Sequence, residues 1–238
     1  MMTAAIVIAA TTIFAGCKKD DVKVKEVKVC PTSVMLTVSN STTLLATIDP
    51  SDATDRSVTW TSDKTEVATV TTEGVVTALA TGTAVITCKA NDGDKTATVT
   101  VVVNPARNDD DYATLIPGFY IGDMTMEEDN VGSDKLITVK YHAENEITFS
   151  IDEKFTVAQM GEQAMKVDCD AVVTKTENGY SATGSTIANI SVLSLPVTIN
   201  AVFSNNTLDM NVHVEKVPMM GEIDIKFKGN GTMEIKCN

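Results

Sequence analysis

A strict two-residue alternation of apolar and polar side chains governs the second half of the chain. Residues 208–215 show it most plainly: the apolar positions are Leu208, Met210, Val212 and Val214, and the polar ones are Asp209, Asn211, His213 and Glu215. Residues 147–152 and 223–228 repeat the pattern, with Ile147, Phe149, Ile151, Ile223, Ile225 and Phe227 at the apolar positions. Successive side chains of a β-strand point to opposite faces, so this period indicates strands with one buried face. Helical periodicity is nearly absent elsewhere, and the sequence predicts an all-β protein.

Eight to ten such strands, joined by turns such as ENG (177–179) and SNN (204–206), suit an antiparallel up-and-down β-barrel over residues 117–238. Alternation alone does not distinguish a soluble barrel from one that crosses a membrane. Aromatic residues make up only 5% of the chain, too few for the two aromatic girdles of a membrane barrel. We therefore expect the apolar face to point inward.

Residues 24–103 contain seven or eight short strands rich in valine and threonine, which suit a two-sheet sandwich. Ala97, Val99, Val101 and Val103 share one face of the last of these strands. Trp60 is the only tryptophan, and we expect it between the two sheets. Gly74 and Gly82 stand where tight turns need a positive φ, and NDG at 91–93 is a hairpin signal.

The stretch 104–116 contains proline, arginine and three consecutive aspartates, a composition that predicts a linker. The predicted organisation is therefore a signal segment at 1–16, a charged tether at 17–23, a sandwich at 24–103, the linker, and a barrel at 117–238.

Residues 3–16 are uncharged and too short for the roughly 20 apolar residues of a membrane span, so they indicate an export signal. The sequence Phe14-Ala15-Gly16-Cys17 resembles the lipobox of bacterial lipoproteins. This resemblance implies that Cys17 is acylated and begins the mature chain, with the acyl chains as a membrane anchor. An ordinary signal peptide, or a buried helix with a chance cysteine, is the alternative. The first three residues, MMT, lack the usual positive charge, so the true start lies upstream or the assigned start is wrong.

The four residues after Cys17, KKDD, form a charged tether next to the lipid. A lysine followed by acidic residues resembles the surface-export signal of lipoproteins in Bacteroidetes. The resemblance implies an outer-membrane protein that faces the cell exterior. A plain tether that faces the periplasm is the alternative.

A longer resemblance covers residues 49–90, which are similar to the group 2 bacterial immunoglobulin-like domain. The matching segments are Pro50, Ala53-Thr54, Val58-Thr59-Trp60, Val67-Ala68-Thr69-Val70, Gly74-Val75-Val76 and Gly82-Thr83-Ala84. Such modules occur in surface and adhesin proteins, often as stalks, and the family brings no shared catalytic residue.

Two segments of the second half resemble a known family over a shorter stretch. The first is the glycine–x–tyrosine pattern at Gly118 and Tyr120, and the second is residues 214–231. Together they resemble the calycin-like barrel domain of Bacteroidetes lipoproteins. The related lipocalins have a tryptophan where Tyr120 stands, so a lipocalin-type ligand chemistry does not transfer.

The net charge of −13 comes from 19 basic and 32 acidic side chains, without a basic patch, which argues against nucleic acid as a partner. Four cysteines remain besides Cys17: Cys30, Cys88, Cys169 and Cys237. No pair has the C-x-x-C spacing of a zinc or redox site. Two cysteines in each half allow one disulfide per half, and free buried thiols are the alternative.

Catalytic motifs are lacking in the sequence. The only histidines, His142 and His213, fall on polar strand faces, and the carboxylate groups at 126–130 and 168–170 fit a hairpin tip and an exposed strand. NDGD at 91–94 could bind calcium through its oxygen atoms, although a plain hairpin turn explains it more simply. We expect no enzyme activity, no metal and no cofactor.

Eight of the eleven methionines lie in the barrel half, at positions 124, 126, 160, 165, 210, 219, 220 and 233. Methionine suits both an adaptable apolar pocket and an irregular core. If the barrel is hollow, its lining is expected to include Tyr120, Met124, Met126, Phe149, Met210 and Phe227. A hollow barrel would bind a small apolar molecule or a glycan. A filled barrel would instead serve adhesion or assembly through a surface protein as its partner.

The lipid anchor yields the first testable prediction. Replacing Cys17 by serine removes the acylated thiol, so the protein should move from the membrane fraction to the soluble fraction. Fractionation of cells that express the wild type and Cys17→Ser checks this. A variant that stays with the membrane would contradict the lipoprotein interpretation.

Overall fold

The computed structural model of the chain describes residues 21–127, 129–158, 161–218 and 220–235. The signal segment and Cys17 lie outside these residues, as do Met160, Met219 and Cys237. The described part contains strands, turns and one short 3₁₀ helix. Among the described residues, no helix is long and apolar enough to cross a membrane.

The first half is a sandwich of short strands, as predicted. Its nine strands are β1 (Glu26–Cys30), β2 (Ser33–Thr37), β3 (Ser41–Thr43), β4 (Leu45–Asp49), β5 (Val58–Ser62), β6 (Ala68–Val70), β7 (Val75–Ala78), β8 (Gly82–Ala90) and β9 (Thr96–Asn104). β1 pairs with β4, β3–β7–β6 form a second sheet, and β2–β9–β8–β5 run in order in a third, with β2 parallel to β9. Fully buried side chains such as Val34, Val76 and Ile86 form the core of this half.

The alternation in β9 is confirmed, with one addition. Val99, Val101 and Val103 are buried in the sandwich core, while Thr98 and Thr100 on the opposite face are exposed. Val102, which lies on that opposite face, is also buried. It packs against Phe119 of the barrel half, so β9 contributes to two cores at once.

Trp60 is less enclosed than expected. It packs against the sandwich core but stays partly exposed, because β5 lies at the edge of its sheet. Gly74 lies beneath its ring with φ +82°, and a Cβ there would come 2.7 Å from the carbonyl oxygen of Leu44 and 3.2 Å from the indole. The positive φ expected at Gly74 and Gly82 is present, and Gly93 turns the chain between β8 and β9.

The second half is a closed antiparallel barrel of eight strands that follow each other around the wall. They are β10 (Gly118–Met126), β11 (Asp129–Ala143), β12 (Glu146–Val157), β13 (Gly161–Thr176), β14 (Gly179–Ile190), β15 (Leu193–Ser204), β16 (Thr207–Val217) and β17 (Gly221–Thr232). β10 pairs with β17 from Phe119↔Thr232 to Met126↔Ile225 and closes the wall. The up-and-down barrel is confirmed, and its assignment to the calycin type stays a prediction.

Apolar side chains point into the barrel and polar side chains point out, as the alternation predicted. In β13 the inward residues Met165, Val167 and Cys169 are buried, while Lys166, Asp168 and Asp170 are exposed. Phe203 lies across the interior, where its ring stacks on Phe149 with centroids 6.0 Å apart and meets Tyr120 edge-on at 5.6 Å. These rings and the buried aliphatic side chains around them pack the middle of the barrel.

The linker closes one end of the barrel. Its 3₁₀ helix, Tyr112–Thr114, places Ala113 in the barrel core. The buried carboxylate of Asp111 accepts hydrogen bonds from the backbone N–H groups of Ala113 (3.2 Å) and Asn145 (2.8 Å). Asn145 in turn accepts a hydrogen bond from the Tyr112 N–H through its side-chain oxygen (3.0 Å). The linker is therefore an ordered plug, tied to the turn between β11 and β12.

The chain returns from the barrel to the sandwich at its end. A short last strand, β18 (Glu234–Ile235), pairs with β2 and adds an edge strand to the sandwich sheet. Met35 and Val102 of the sandwich pack with Phe119 of the barrel, and Leu136 and Ile235 flank them. The Asn104 side chain also accepts a hydrogen bond from the Tyr141 N–H at 3.1 Å. Two chain crossings and one apolar cluster thus join the halves.

The cysteines do not form one disulfide per half. Cys88 and Cys169 are free and buried, one in each core, and burial raises the pKa of each thiol to about 11. Both thiols are therefore protonated at neutral pH and poor nucleophiles. Cys30 is disulfide-bonded, and since Cys88 and Cys169 are free, its partner lies outside the described residues.

The plug gives a stability prediction. Asp111→Ala leaves the N–H groups of Ala113 and Asn145 without their acceptor, which should cost about 1–3 kcal/mol of unfolding free energy. Urea unfolding followed by circular dichroism measures the loss, and Trp60 fluorescence follows the sandwich half separately.

Asp109→Ala is the matched control for Asp111→Ala. The Asp109 carboxylate lies 3.5 Å from Arg107 in an exposed ion pair, so its loss should change stability by no more than about 0.5 kcal/mol. Equal effects of the two substitutions would show that Asp111 does not hold the plug.

Candidate ligand site at the mouth of the barrel

The turns at both ends of the barrel contain residues with a positive φ, but the side chains at their tips differ. The end next to the sandwich, here called the proximal end, has Asn145, Gly179, Asn205 and Asn206 at positive φ, and the other end has Glu127, Gly161, Ser191 and Gly221. The plug closes the proximal end. The opposite, distal end lies after β10, β12, β14 and β16. Val192 and Met220 stand in two of its turns, where short polar residues are the rule.

The turn between β14 and β15 is held in place although it presents an apolar tip. Ser191 has φ +52°, its N–H donates to the Ala164 carbonyl (2.6 Å), and its hydroxyl donates to Gln163 Oε1 (2.9 Å). The Ala164 N–H donates back to the Ser191 hydroxyl at 3.2 Å. Val192, the next residue, is 95% exposed. A fixed backbone therefore holds a valine side chain out in solvent.

An apolar cavity of about 180 Å³ opens among the distal turns. Its walls come from seven of the eight barrel strands and two of the turns that join them: Met126, Phe155, Val157, Gln163, Ile190, Ser191, Val192, Leu193, Leu195, Val217, Met220 and Ile223. No charged side chain lines it, and its polar residues, Gln163 and Ser191, hydrogen-bond each other. Such a cavity favours an apolar occupant over water, which would find few hydrogen-bond partners there.

A second hollow of about 220 Å³ lies beside this cavity and shares Met126, Met220 and Ile223 with it. Its other lining residues are Glu127, Glu222, Asp224 and Lys226. Hydrogen bonds from Asn211 and His213 lower the pKa of Asp224, so this carboxylate is ionised at neutral pH. The apolar cavity and this acidic hollow lie side by side, and together they form what is here called the distal mouth of the barrel.

The six residues expected to line a hollow barrel are found in different places. Met126 is at the distal cavity, and Met124 and Phe149 are buried in the packed middle. Met210 and Phe227 are also in the packed core and border an open hollow on the outer wall. Tyr120 is buried next to the plug, donates its hydroxyl hydrogen to the Ile116 carbonyl (2.8 Å) and has a pKa raised by burial.

Sequence reasoning missed the residues that distinguish the distal mouth. Val192 and Leu193 stand in SVL (191–193), and Met220 stands in PMMG (218–221). The available signal was an apolar residue at a turn position, where asparagine, glycine or serine is usual. The alternation that predicts the strands gives no information about the turns, and these residues lie at the turns.

Of the acidic and histidine side chains that the sequence offered for catalysis, Glu127 lines the second distal hollow, and those at 142, 168, 170 and 213 lie on the outer wall. The carboxylates of Asp168 and Asp170 accept hydrogen bonds from Ser150 and Thr148. His142 and His213 are near acidic neighbours and stay solvent-accessible. In the sandwich, Asp92 accepts a hydrogen bond from Lys23 (2.9 Å) within the NDGD turn. Across the described ranges, no group of three or more metal-ligating side chains is found.

Comparison with known proteins identifies the first half. Residues 23–101 match the family of the bacterial Ig-like domain (group 2). Three curated relatives share segments with the chain: an alpha-L-arabinofuranosidase of Bifidobacterium longum (42% identity over 66 residues), an Ig-like virion protein of Serratia phage KSP90 (36% over 108) and a kappa-carrageenase of Pseudoalteromonas carrageenovora (38% over 89). These segments cover 28%, 42% and 37% of this chain and 6%, 42% and 22% of the respective relatives.

Two solved structures resemble a larger part of the chain. One is a proposed outer membrane protein from Bacteroides fragilis NCTC 9343, with 13% identity, a TM-score of 0.41, and coverage of 81% of this chain and 74% of that one. The other is a lipoprotein from Bacteroides thetaiotaomicron, with 13% identity, a TM-score of 0.49, and coverage of 86% and 100%. Residues 23–101 of the present chain are a group 2 bacterial immunoglobulin-like domain, followed by a closed eight-stranded antiparallel barrel.

Proposed function

We propose that this protein is a non-enzymatic, lipid-anchored surface protein whose barrel captures a small apolar molecule at its distal mouth. The Ig-like domain serves as the stalk. The observation that supports this function is the uncharged cavity among the distal turns, bordered by apolar side chains left in solvent. A glycan, which needs hydrogen-bonding partners, suits this lining less well than an apolar ligand.

The energetics favour an apolar occupant. Val192 is 95% exposed, Met220 42% and Leu193 38%, and all three border the cavity. Covering apolar surface contributes about 25 cal/mol for each Å² removed from water. A ligand at the mouth gains this from the rim as well as from the cavity walls. Because the turn of Ser191 is already fixed by hydrogen bonds, little ordering of the protein opposes binding.

The arrangement of the halves supports the role of a stalk. The apolar cluster of Met35, Val102 and Phe119 holds the proximal end of the barrel against the Ig-like domain. The distal mouth is at the other end of the strands and faces away from that domain. A chain anchored through Cys17 would therefore present the mouth on the side away from its attachment.

The proposed cellular location is the outer membrane, with the protein facing the cell exterior. It is supported by the resemblance of residues 14–17 to a lipobox and of KKDD to a surface-export signal. A periplasmic orientation is the alternative, and labelling of intact cells with an impermeant reagent would separate the two.

Adhesion through a protein partner is the second candidate function. The exposure of Val192 at the tip of a turn favours it, since such a side chain can also pack into a partner's surface. The two functions differ in what they need. Capture of a small molecule requires the cavity to be empty, whereas docking of a protein requires only the rim.

Capture predicts binding of an uncharged apolar dye, N-phenyl-1-naphthylamine, whose fluorescence rises in an apolar environment. Val192→Asp places a charge beside the cavity and should weaken dye binding about tenfold, the equivalent of losing one well-covered valine. Val172→Asp is the matched control, because Val172 is 54% exposed on the outer wall and does not line the distal cavity. Equal dye affinity in both variants and the wild type would contradict capture at this mouth.

A cavity-filling variant separates capture from adhesion. Ile223→Trp should occupy the cavity and abolish dye binding while Val192 and Leu193 stay exposed. If this variant keeps full dye binding, the dye sits on the rim and protein docking becomes the better proposal.

A further inference from the structure

The distal cavity is small for a complete ligand. Pockets that enclose drug-sized molecules measure about 300–1,000 Å³, and a dry apolar cavity of about 150 Å³ accepts benzene. At about 180 Å³ the cavity accepts one compact apolar group or the end of a chain. A larger ligand must leave the cavity and continue over its border.

The surface beyond the cavity is suited to such a continuation. Val192, Leu193 and Met220 line the cavity and also expose apolar area to solvent. A compact ligand held inside would leave this area uncovered. A linear hydrocarbon chain covers the area and fills the cavity together, which accounts for both features with one occupant.

The adjoining hollow would receive the polar end of such a chain. It shares Met126, Met220 and Ile223 with the cavity, so a chain that crosses these side chains places its polar end there. Three carboxylates, those of Glu127, Glu222 and Asp224, face one ammonium group, that of Lys226. His213 contacts two of these carboxylates, with Nδ1 3.0 Å from Asp224 and Nε2 3.9 Å from Glu222. A negatively charged head would be repelled here and a positively charged head attracted.

We propose that the ligand is a single-chain amphiphile whose hydrocarbon end occupies the distal cavity and whose cationic head lies in the adjoining hollow. The cavity and its apolar border define the site, and the carboxylates select the head group. This inference rests on the proposed capture of an apolar molecule and adds the class of that molecule.

Three probes with the same ten-carbon chain test the proposal: decyltrimethylammonium, decyl maltoside and decyl sulfate. Calorimetric titration of the full chain, below the concentration at which each probe forms micelles, measures the affinities. The cationic probe should bind about tenfold more tightly than the anionic probe at low salt, with the uncharged probe between them. The difference should shrink in about 0.5 M salt, where the screening length falls to a few ångströms.

Variants that replace carboxylates by amides test whether the preference for the cationic probe arises at the hollow. The double variant Glu127→Gln, Glu222→Gln removes two of the three carboxylates and should bring the cationic and anionic probes to within about twofold of each other. Its control is Glu144→Gln, Glu177→Gln, which removes the same charge from two exposed turns at the proximal end. The control should keep the tenfold preference. A preference lost equally in both variants would reflect the net charge of −13 and overturn the proposed site.

The outcomes separate this inference from the proposed function. If the uncharged probe binds but the three affinities are equal, capture stands and the cationic amphiphile is wrong. If the uncharged probe does not bind and Ile223→Trp changes nothing, capture itself fails. A shorter hexyl series that binds as tightly as the decyl series would show a compact ligand and contradict the chain that crosses the rim.

Discussion

Closure of the barrel by the β10–β17 pair is the constraint on which the second half depends. Eight continuous register pairs, from Phe119↔Thr232 to Met126↔Ile225, leave the wall without a free edge. Each inward residue then faces other inward residues, and rings such as Phe149 and Phe203 fill the space between them. An eight-stranded barrel has room for little more than its own side chains. Since large inward residues use that room, space for a ligand inside the wall is left only at an end of the barrel.

The two ends of the barrel differ in the side chains that close or border them. At the proximal end the carboxylate of Asp111 holds the plug to Asn145, and Ala113 fills the opening. At the distal end the Ser191 turn is held as firmly but ends in the exposed Val192. Asparagine and glycine stabilise the proximal turns at little cost, and Gly161 and Gly221 do the same at the distal end, whereas the exposed apolar tip of Val192 brings no folding advantage. The exposed valine at this tip is therefore not explained by the stability of the fold.

Much of this fold can be predicted from the sequence, because the period of two fixes which side chains point inward. That period identified the barrel, its inward face and the buried face of β9. It could not show whether the interior is hollow, because this depends on how the volumes of Phe149, Phe203 and their neighbours add up across the closed wall. The number of methionines does not decide the question either, because Met124 and Met165 fill the core while Met126 and Met220 border the mouth.

The Ig-like half was predictable from local sequence segments. The partial exposure of Trp60 was not, because it follows from the position of β5 at the edge of its sheet, which those segments do not show.

The joint between the two halves could not be predicted from local sequence segments either, and it limits how the halves can move against each other. Chains joined by one flexible linker leave two domains free to reorient, whereas here the chain crosses the joint twice. The first crossing is the ordered plug, and the second is β18, which covers the edge of β2. Between them, Val102 uses the outer face of β9 to pack on Phe119. If the halves separate, the β18–β2 pairing and the shared apolar cluster both lose contacts. Both interactions therefore oppose bending at the joint. The Ig-like domain therefore sets the direction of the barrel, and the distal end keeps facing away from that domain.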